Sequence, residues 1–213
     1  MAEYIQDLLN VVVIGNMNPQ IINHEWLLKE KIINEKHFVS RRPGESPFKQ
    51  YVCTPPFTQI IYDNIKFIVE MNRFELSTQQ KSINSDIFDI AKEYFSKLPH
   101  TPVTKLGFNI IGFFKFDNAD ELQKFNKKWM DYSDSLAKLI QNKEINLGFG
   151  VTFKEDIALY RLDCIVPDAH QRRQVNFNCE FNIKDTQGII SILSDNLKYI
   201  NRMDTLIKSL LKI

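Results

Sequence analysis

The sequence predicts an α+β fold, an antiparallel sheet that carries its helices mainly on one face. Three observations predict it. Apolar and polar residues alternate strictly over several segments of the second half, the period of a half-buried strand. Other segments place apolar residues at i, i+3, i+4 and i+7, the period of a helix with one buried stripe. The order strand, helix, three strands, helix then occurs twice along the chain, which reads as a tandem duplication of topology without residue-level identity.

Strands are clearest where Ile145, Leu147, Phe149, Val151 and Phe153 alternate with small or polar residues, and where Val175, Phe177, Cys179, Phe181 and Ile183 oppose Asn176, Asn178, Glu180 and Asn182. Ala158, Tyr160, Leu162, Cys164 and Val166 form a third strand, joined to the first through the polar Lys154-Glu155-Asp156 corner. The polar sides of these runs predict a sheet with one face turned away from the core. In the first half, Val11 to Ile14 is a β-branched run, and a helix is expected from Asn18-Pro19 through Trp26, Leu27 and Ile33. Thr58 to Tyr62, Ile65 to Met71 and Phe74 to Ser77 follow as a meander, with turns at Asp63-Asn64 and Asn72-Arg73.

A helix from Ser85 buries Ile87, Ile90, Ala91, Tyr94, Phe95 and Leu98, and Pro99 ends it. After a strand over Val103 to Phe116, Asn118 and Glu121 form a capping box for a helix carrying Leu122, Phe125, Trp129, Tyr132, Leu136 and Leu139. The last helix runs from Ile189 through Leu193, Leu197, Ile200, Met203 and Ile207 to Leu210, roughly 25 residues or about 37 Å. The two expected halves, residues 1–100 and 101–213, meet near 99–103 and pack as one unit. From Arg41 to Pro56, prolines and glycine predict an irregular connection.

Composition narrows the function classes. The chain has 213 residues, enough for a sizeable core, and its 16 Phe favour folded structure over disorder. No run approaches the roughly 20 apolar residues needed to cross a bilayer, and the N-terminal residues lack a secretory pattern, so a cytoplasmic protein without membrane attachment is expected. Cys53, Cys164 and Cys179 lack metal-ligand spacing, and the last two sit on the apolar sides of strands as structural thiols. The abundance of Lys, Asn and Ile suggests an AT-rich bacterial genome.

Catalytic templates are missing: there is no Gly-x-Ser-x-Gly, phosphate-binding glycine loop or His-Glu-x-x-His. A hydrolase would need His100 to converge with His170 and Asp168, and paired-carboxylate chemistry would need Asp163 beside Glu180. Neither has independent support in the sequence, and no cofactor or metal is expected. Binding is the better expectation. On the polar sheet face, Arg161, Asn176, Asn178 and Glu180, with Arg172 and Arg173, are candidate ligand-binding residues for a nucleic acid or small ligand. Lys124, Lys127, Lys128, Lys198, Arg202 and Arg41-Arg42 add candidate phosphate contacts, although 27 basic residues balance 26 acidic ones. The terminal helix carries apolar residues beyond one seam, and Ile192, Leu206 and Leu211 are candidate interface residues for a homodimer or protein partner.

The segment from Ser96 to Asn109, with its His100-Thr101-Pro102-Val103-Thr104 core followed by Leu106-Gly107 and Asn109, resembles a central segment of a loosely defined group of uncharacterised bacterial proteins. The resemblance implies no activity and no site residues. It is compatible with a bacterial accessory protein, encoded beside a larger enzyme in a defence or toxin–antitoxin locus. The sequence therefore predicts a non-catalytic binding or assembly protein, acting as a homodimer or with a partner.

Overall fold

The computed structural model describes residues 3–34, 46–79, 84–129, 148–165 and 172–212. Nine antiparallel strands form one open sheet in the order β2-β3-β4-β5-β1-β6-β9-β8-β7. The strands are β1 (Glu3–Gly15), β2 (Gln50–Thr54), β3 (Phe57–Ile61), β4 (Lys66–Glu70), β5 (Arg73–Thr78), β6 (Val103–Lys115), β7 (Phe149–Glu155), β8 (Ala158–Ile165) and β9 (Arg172–Asn182). The helices are α1 (His24–Lys29), α2 (Asn84–Lys97), α3 (Ala119–Trp129), α4 (Thr186–Ser194) and α5 (Asn196–Lys212). Among the described residues no helix is long and apolar enough to cross a membrane.

The two longest strands join the halves. β1 and β6 pair antiparallel from Glu3 opposite Lys115 to Gly15 opposite Val103, with one irregularity between Gln6 and Leu8 and another at the far end. In each half the last strand of the meander returns to the first, β5 onto β1 and β9 onto β6. Alternation then sorts side chains between two faces. Leu9, Val11 and Val13 of β1, Phe74 and Leu76 of β5, Phe108 and Phe114 of β6, and Phe177 and Phe181 of β9 all turn to the helix side and are buried.

The helices complete a single core on that side. Phe88 of α2, Phe181 of β9 and Tyr199 of α5 meet the ring of Phe108 at centroid distances of 5.1, 5.4 and 6.2 Å. Phe125 of α3 packs on Phe114 and Phe116, and Trp26 of α1 on Tyr94 of α2. Such offset and edge-on pairs add a directional term to simple area burial. The Thr186 hydroxyl donates to the Pro99 carbonyl at 2.8 Å, tying the start of α4 to the turn after α2. Cys164 and Cys179 lie in this core, and burial pushes both thiols up to about 12, so they stay protonated and behave as small apolar groups.

Local chemistry explains where the fold departs from the sequence reading. The expected helix from Asn18 is two pieces: Asn18 caps a single 3-10 turn over Pro19–Ile21, and Asn23 restarts the chain as α1 by accepting from the Trp26 amide at 2.8 Å. The first meander has four strands, not three. Gln50–Thr54, inside the expected irregular connection, pairs with β3 at the sheet edge, where Pro55-Pro56 form the turn and interrupt no ladder. The terminal helix is also divided. The Asp195 amide reaches the carbonyls of Ser191 and Ile192, the Asn196 side chain donates to the Leu193 carbonyl at 2.7 Å, and the Lys198 amide restarts from Asp195 at 3.0 Å. Asp and Asn compete for backbone groups in this way and end helices.

Ion pairs hold α5 to the hairpin between β7 and β8. Lys198 bonds Asp156 and Arg202 bonds Glu155, each at 2.8 Å. Asp156 adopts a φ of 52°, a left-handed conformation tolerated by Asp in a two-residue turn. The capping of α3 matches expectation at Asn118, whose side chain accepts from the Glu121 amide at 3.0 Å, while the Glu121 carboxylate accepts from the Asp117 amide. Tyr132, Leu136, Leu139, Ile145, Leu147 and Val166 lie outside the described residues.

Candidate functional site

Residues on the second face of the sheet meet no helix among the described residues, and β-pairing aligns them in rows perpendicular to the strands. The central row runs Ile61, Lys66, Ser77, Asn10, Asn109, Asn178, Arg161 and Thr152 from β3 to β7. Three asparagines from three adjacent strands stand at its middle. The Asn109 side-chain amide donates to the Asn10 carbonyl oxygen at 2.7 Å, and the Asn178 amide donates to Asn109. The amide orientations follow from this network. Asn109 accepts from Asn178 and donates to Asn10, so the ladder pins β1, β6 and β9 in a single register.

The polar side chains around the ladder also pair among themselves. Arg161 bonds Asp163 at 2.8 Å, Lys105 bonds Glu180 at 2.7 Å, Gln174 donates to Asn176 at 2.8 Å, and Arg73 bonds Glu75. Between these pairs stand aliphatic residues. Ile5, Ile14, Val52, Leu159 and Ile165 on this face are 36–43% exposed. Leu8, Val12, Ile68, Ile111 and Phe113 are half-buried beside them. The result is a broad face of matched charges and exposed aliphatic surface on rigid strands.

The candidate ligand-binding residues divide between the two faces. Arg161, Asn176, Asn178 and Glu180 share the open face, with Arg172 exposed at its margin. Arg173 does not join them. Alternation turns it to the helix side, where it is 7% exposed and its guanidinium donates to Asn126 of α3 at 3.1 and 3.0 Å and to the Arg172 carbonyl at 2.8 Å. Asp163 and Glu180 do not form a carboxylate pair. Asp163 faces Asn176 and Glu180 faces Leu159, about 13 Å apart along the strands by the usual rise.

The helical candidates are placed differently as well. Ile192 is 7% exposed on α4, because the break at Asp195 turns this segment onto α2, so it is not a surface residue of the chain. Leu206 is half-buried against the core, and Leu211 stands in the last turn of α5. Lys198 and Arg202 hold the β7–β8 hairpin as described, while Lys124, Lys127 and Lys128 are exposed on α3. His100 is exposed in the turn before β6, whereas His170, Asp168 and Arg41-Arg42 lie outside the described residues. Among the described residues no group of three or more His, Cys, Asp and Glu side chains is arranged to hold a metal.

Among the described residues one histidine is engaged. His24, at the start of α1, places Nδ1 2.9 Å from the Tyr62 hydroxyl, with the Phe48 ring at 5.8 Å. Burial lowers its pKa, partly opposed by Glu25, and burial raises that of Tyr62, so a neutral imidazole accepting from a neutral phenol is the stable arrangement. The unfolded chain binds a proton at an ordinary His pKa near ~6.5, so the stability from this contact is present above that pH and is lost as pH falls toward the lower folded value. We expect the urea midpoint of the native protein to fall between pH 7.5 and 5 by more than that of His24→Gln. Equal losses in the two proteins would remove His24 from the acid response.

Sequence alternation identified Asn176, Asn178, Glu180 and Arg161 but missed Asn10, Asn109 and Ser77. Their signal is long-range register, because Asn10 and Asn109 stand 99 residues apart in the chain and meet only through the β1–β6 pairing. Comparison of the chain with models of known protein families and with curated protein sequences finds no match.

Proposed function

We propose that this protein is a non-catalytic assembly protein, and that the open face of its sheet packs against the same face of a second copy. The observation that carries the reading is the face itself: exposed aliphatic residues stand between paired charges, Arg161 with Asp163, Lys105 with Glu180 and Arg73 with Glu75, with Lys66 and Lys154, uncommitted among the described residues, toward its two edges. Matched charges suit a neutral, self-complementary surface better than a phosphate backbone, which selects for uncompensated cations. Sheet faces pack on one another with their strands within about 30°. Nine strands spaced by about 4.8 Å and overlapping over about five residues offer roughly 640 Å² per chain, so two chains bury about 1,300 Å². That exceeds the ~1,000 Å² expected of a specific interface. A cytoplasmic bacterial accessory subunit accords with this reading, as does the resemblance of the Ser96–Asn109 segment.

Charge placed on the face tests it. Leu159 and Ile165 of β8 are 41% and 40% exposed, and a Leu159→Arg, Ile165→Arg chain brings unpaired cations into the contact. We expect sedimentation equilibrium to show self-association weakened at least a hundredfold, roughly 3 kcal/mol. Ile157→Arg, at the hairpin tip, serves as control because that residue is 61% exposed and lies off the face, and it should leave association unchanged. Equal dissociation constants for the native and doubly charged chains would place assembly elsewhere.

A further inference from the structure

We propose that a cleft at one corner of the open face binds a carboxylate attached to a short aliphatic group. The cleft holds about 380 Å³ where the β3–β4 turn meets β5 and β1, a volume suited to a small ligand. Its chemistry comes from the end of the asparagine row. Lys66 of β4 stands between its cross-strand neighbours Ile61 and Ser77, and Leu8 of β1 supplies a second apolar wall.

The charges around the cleft are unequally committed. Glu75 is held by Arg73, and Asp63 is paired with Lys49 at 3.3 Å. Lys66 is half-buried, and among the described residues its ammonium forms no ion pair. A half-buried lysine beside Ser77, itself 5% exposed, offers an anion charge and a hydrogen bond together. Ile61 and Leu8 add favourable contact for a few methyl groups. A carboxylate is favoured over a phosphate because Lys66 is the one basic residue among those lining the space and two carboxylates, each neutralised by its own partner, stand at its edge. Two sources share this chemistry: a free short-chain acid, and the C-terminal carboxylate of a chain ending in an aliphatic residue. Lys66 and Ser77 stand in the central row of the face proposed for self-association, so the titration is run on the Leu159→Arg, Ile165→Arg chain, in which that face is free, and a null result there counts against the cleft and not against assembly.

That chain, at full length and labelled for NMR, would be titrated with 3-methylbutanoate, with 3-methylbutan-1-ol, and with N-acetyl-Ala-Leu as its free acid and as its amide. We expect saturable shifts at the Ser77 amide and the Leu8 methyls in the millimolar range for at least one acid, with the alcohol and amide at least tenfold weaker. Lys66→Met should weaken the acid at least tenfold, Ser77→Ala by a smaller factor, and Lys154→Met on the distant edge strand not at all. Tighter binding of the peptide acid assigns the cleft to a chain end, and tighter binding of the free acid assigns it to a small molecule. Acid and alcohol binding equally, an unchanged affinity in Lys66→Met or in both cleft variants, or no saturable shift at all would overturn the proposal.

Discussion

Phe108→Ala is expected to destabilise the protein by about 3–5 kcal/mol, the range for removing a buried aromatic ring from a packed core. Phe108 is fully buried on β6, at the point where the two halves meet. Its ring touches Phe88 of α2, Phe181 of β9 and Tyr199 of α5, so truncation opens a void bordered by three elements on a rigid sheet. A helix can shift to fill such a void; a strand paired on both sides, as β6 and β9 are, cannot. For a chain of this size the loss corresponds to roughly 6–20 °C in thermal midpoint. One cooperative transition at the lower temperature is expected from all probes, because residues of both halves belong to one core cluster. A separate transition for one half would show instead that the halves fold independently.

Gly112→Val is expected to approach the same size by the opposite route. Gly112 of β6 faces the helix side, and the Tyr4 ring of β1 lies across it. A Cβ there would stand 2.5 Å from both the Ile5 carbonyl oxygen and the Tyr4 hydroxyl. The tyrosine can swing aside, but the carbonyl is ladder backbone, so the β1–β6 pairing itself must open. Overpacking of this kind costs about 1–3 kcal/mol and more where backbone has to move. Urea unfolding of Gly112→Val, Gly112→Ala and Tyr4→Phe separates the causes. The Tyr4 hydroxyl is buried and finds no hydrogen-bond partner among the described residues, so Tyr4→Phe should be neutral or slightly stabilising. Gly112→Ala should already be destabilised, and Gly112→Val further. Equal stability of all three with the native chain would mean that the strands at this point are loosely held.

Much of the architecture is legible in the sequence because its signals are local. Period-two alternation in 158–166 and 175–183 identifies β8 and β9 and assigns their faces, and the stripe from Ile87 to Leu98 identifies α2. What escapes depends on geometry at a distance or on one competing residue. Pro55-Pro56 hide β2, since only its position at the sheet edge makes prolines harmless there. The apolar pattern runs unbroken through Asp195, so periodicity alone joins α4 to α5 and exposes Ile192, which the break in fact buries. Arg173 follows Arg172 in sequence and for that reason must face the other way. Asn10 and Asn109 look like ordinary polar interruptions of apolar strands until register aligns them with Asn178. The Lys66 cleft has no sequence signature, because the residues that neutralise its other charges come from a different strand position and from the segment before β2.

The most direct test of the central claim is the solution mass of the unaltered protein at low and high salt, with the ratio of absorbance at nucleic-acid and protein wavelengths recorded on the same peak. Association through an aliphatic face whose central charges are paired predicts a dimer that persists at high salt and carries no nucleic acid. A monomer at every concentration would contradict it, and so would a complex with nucleic acid that dissociates as salt rises.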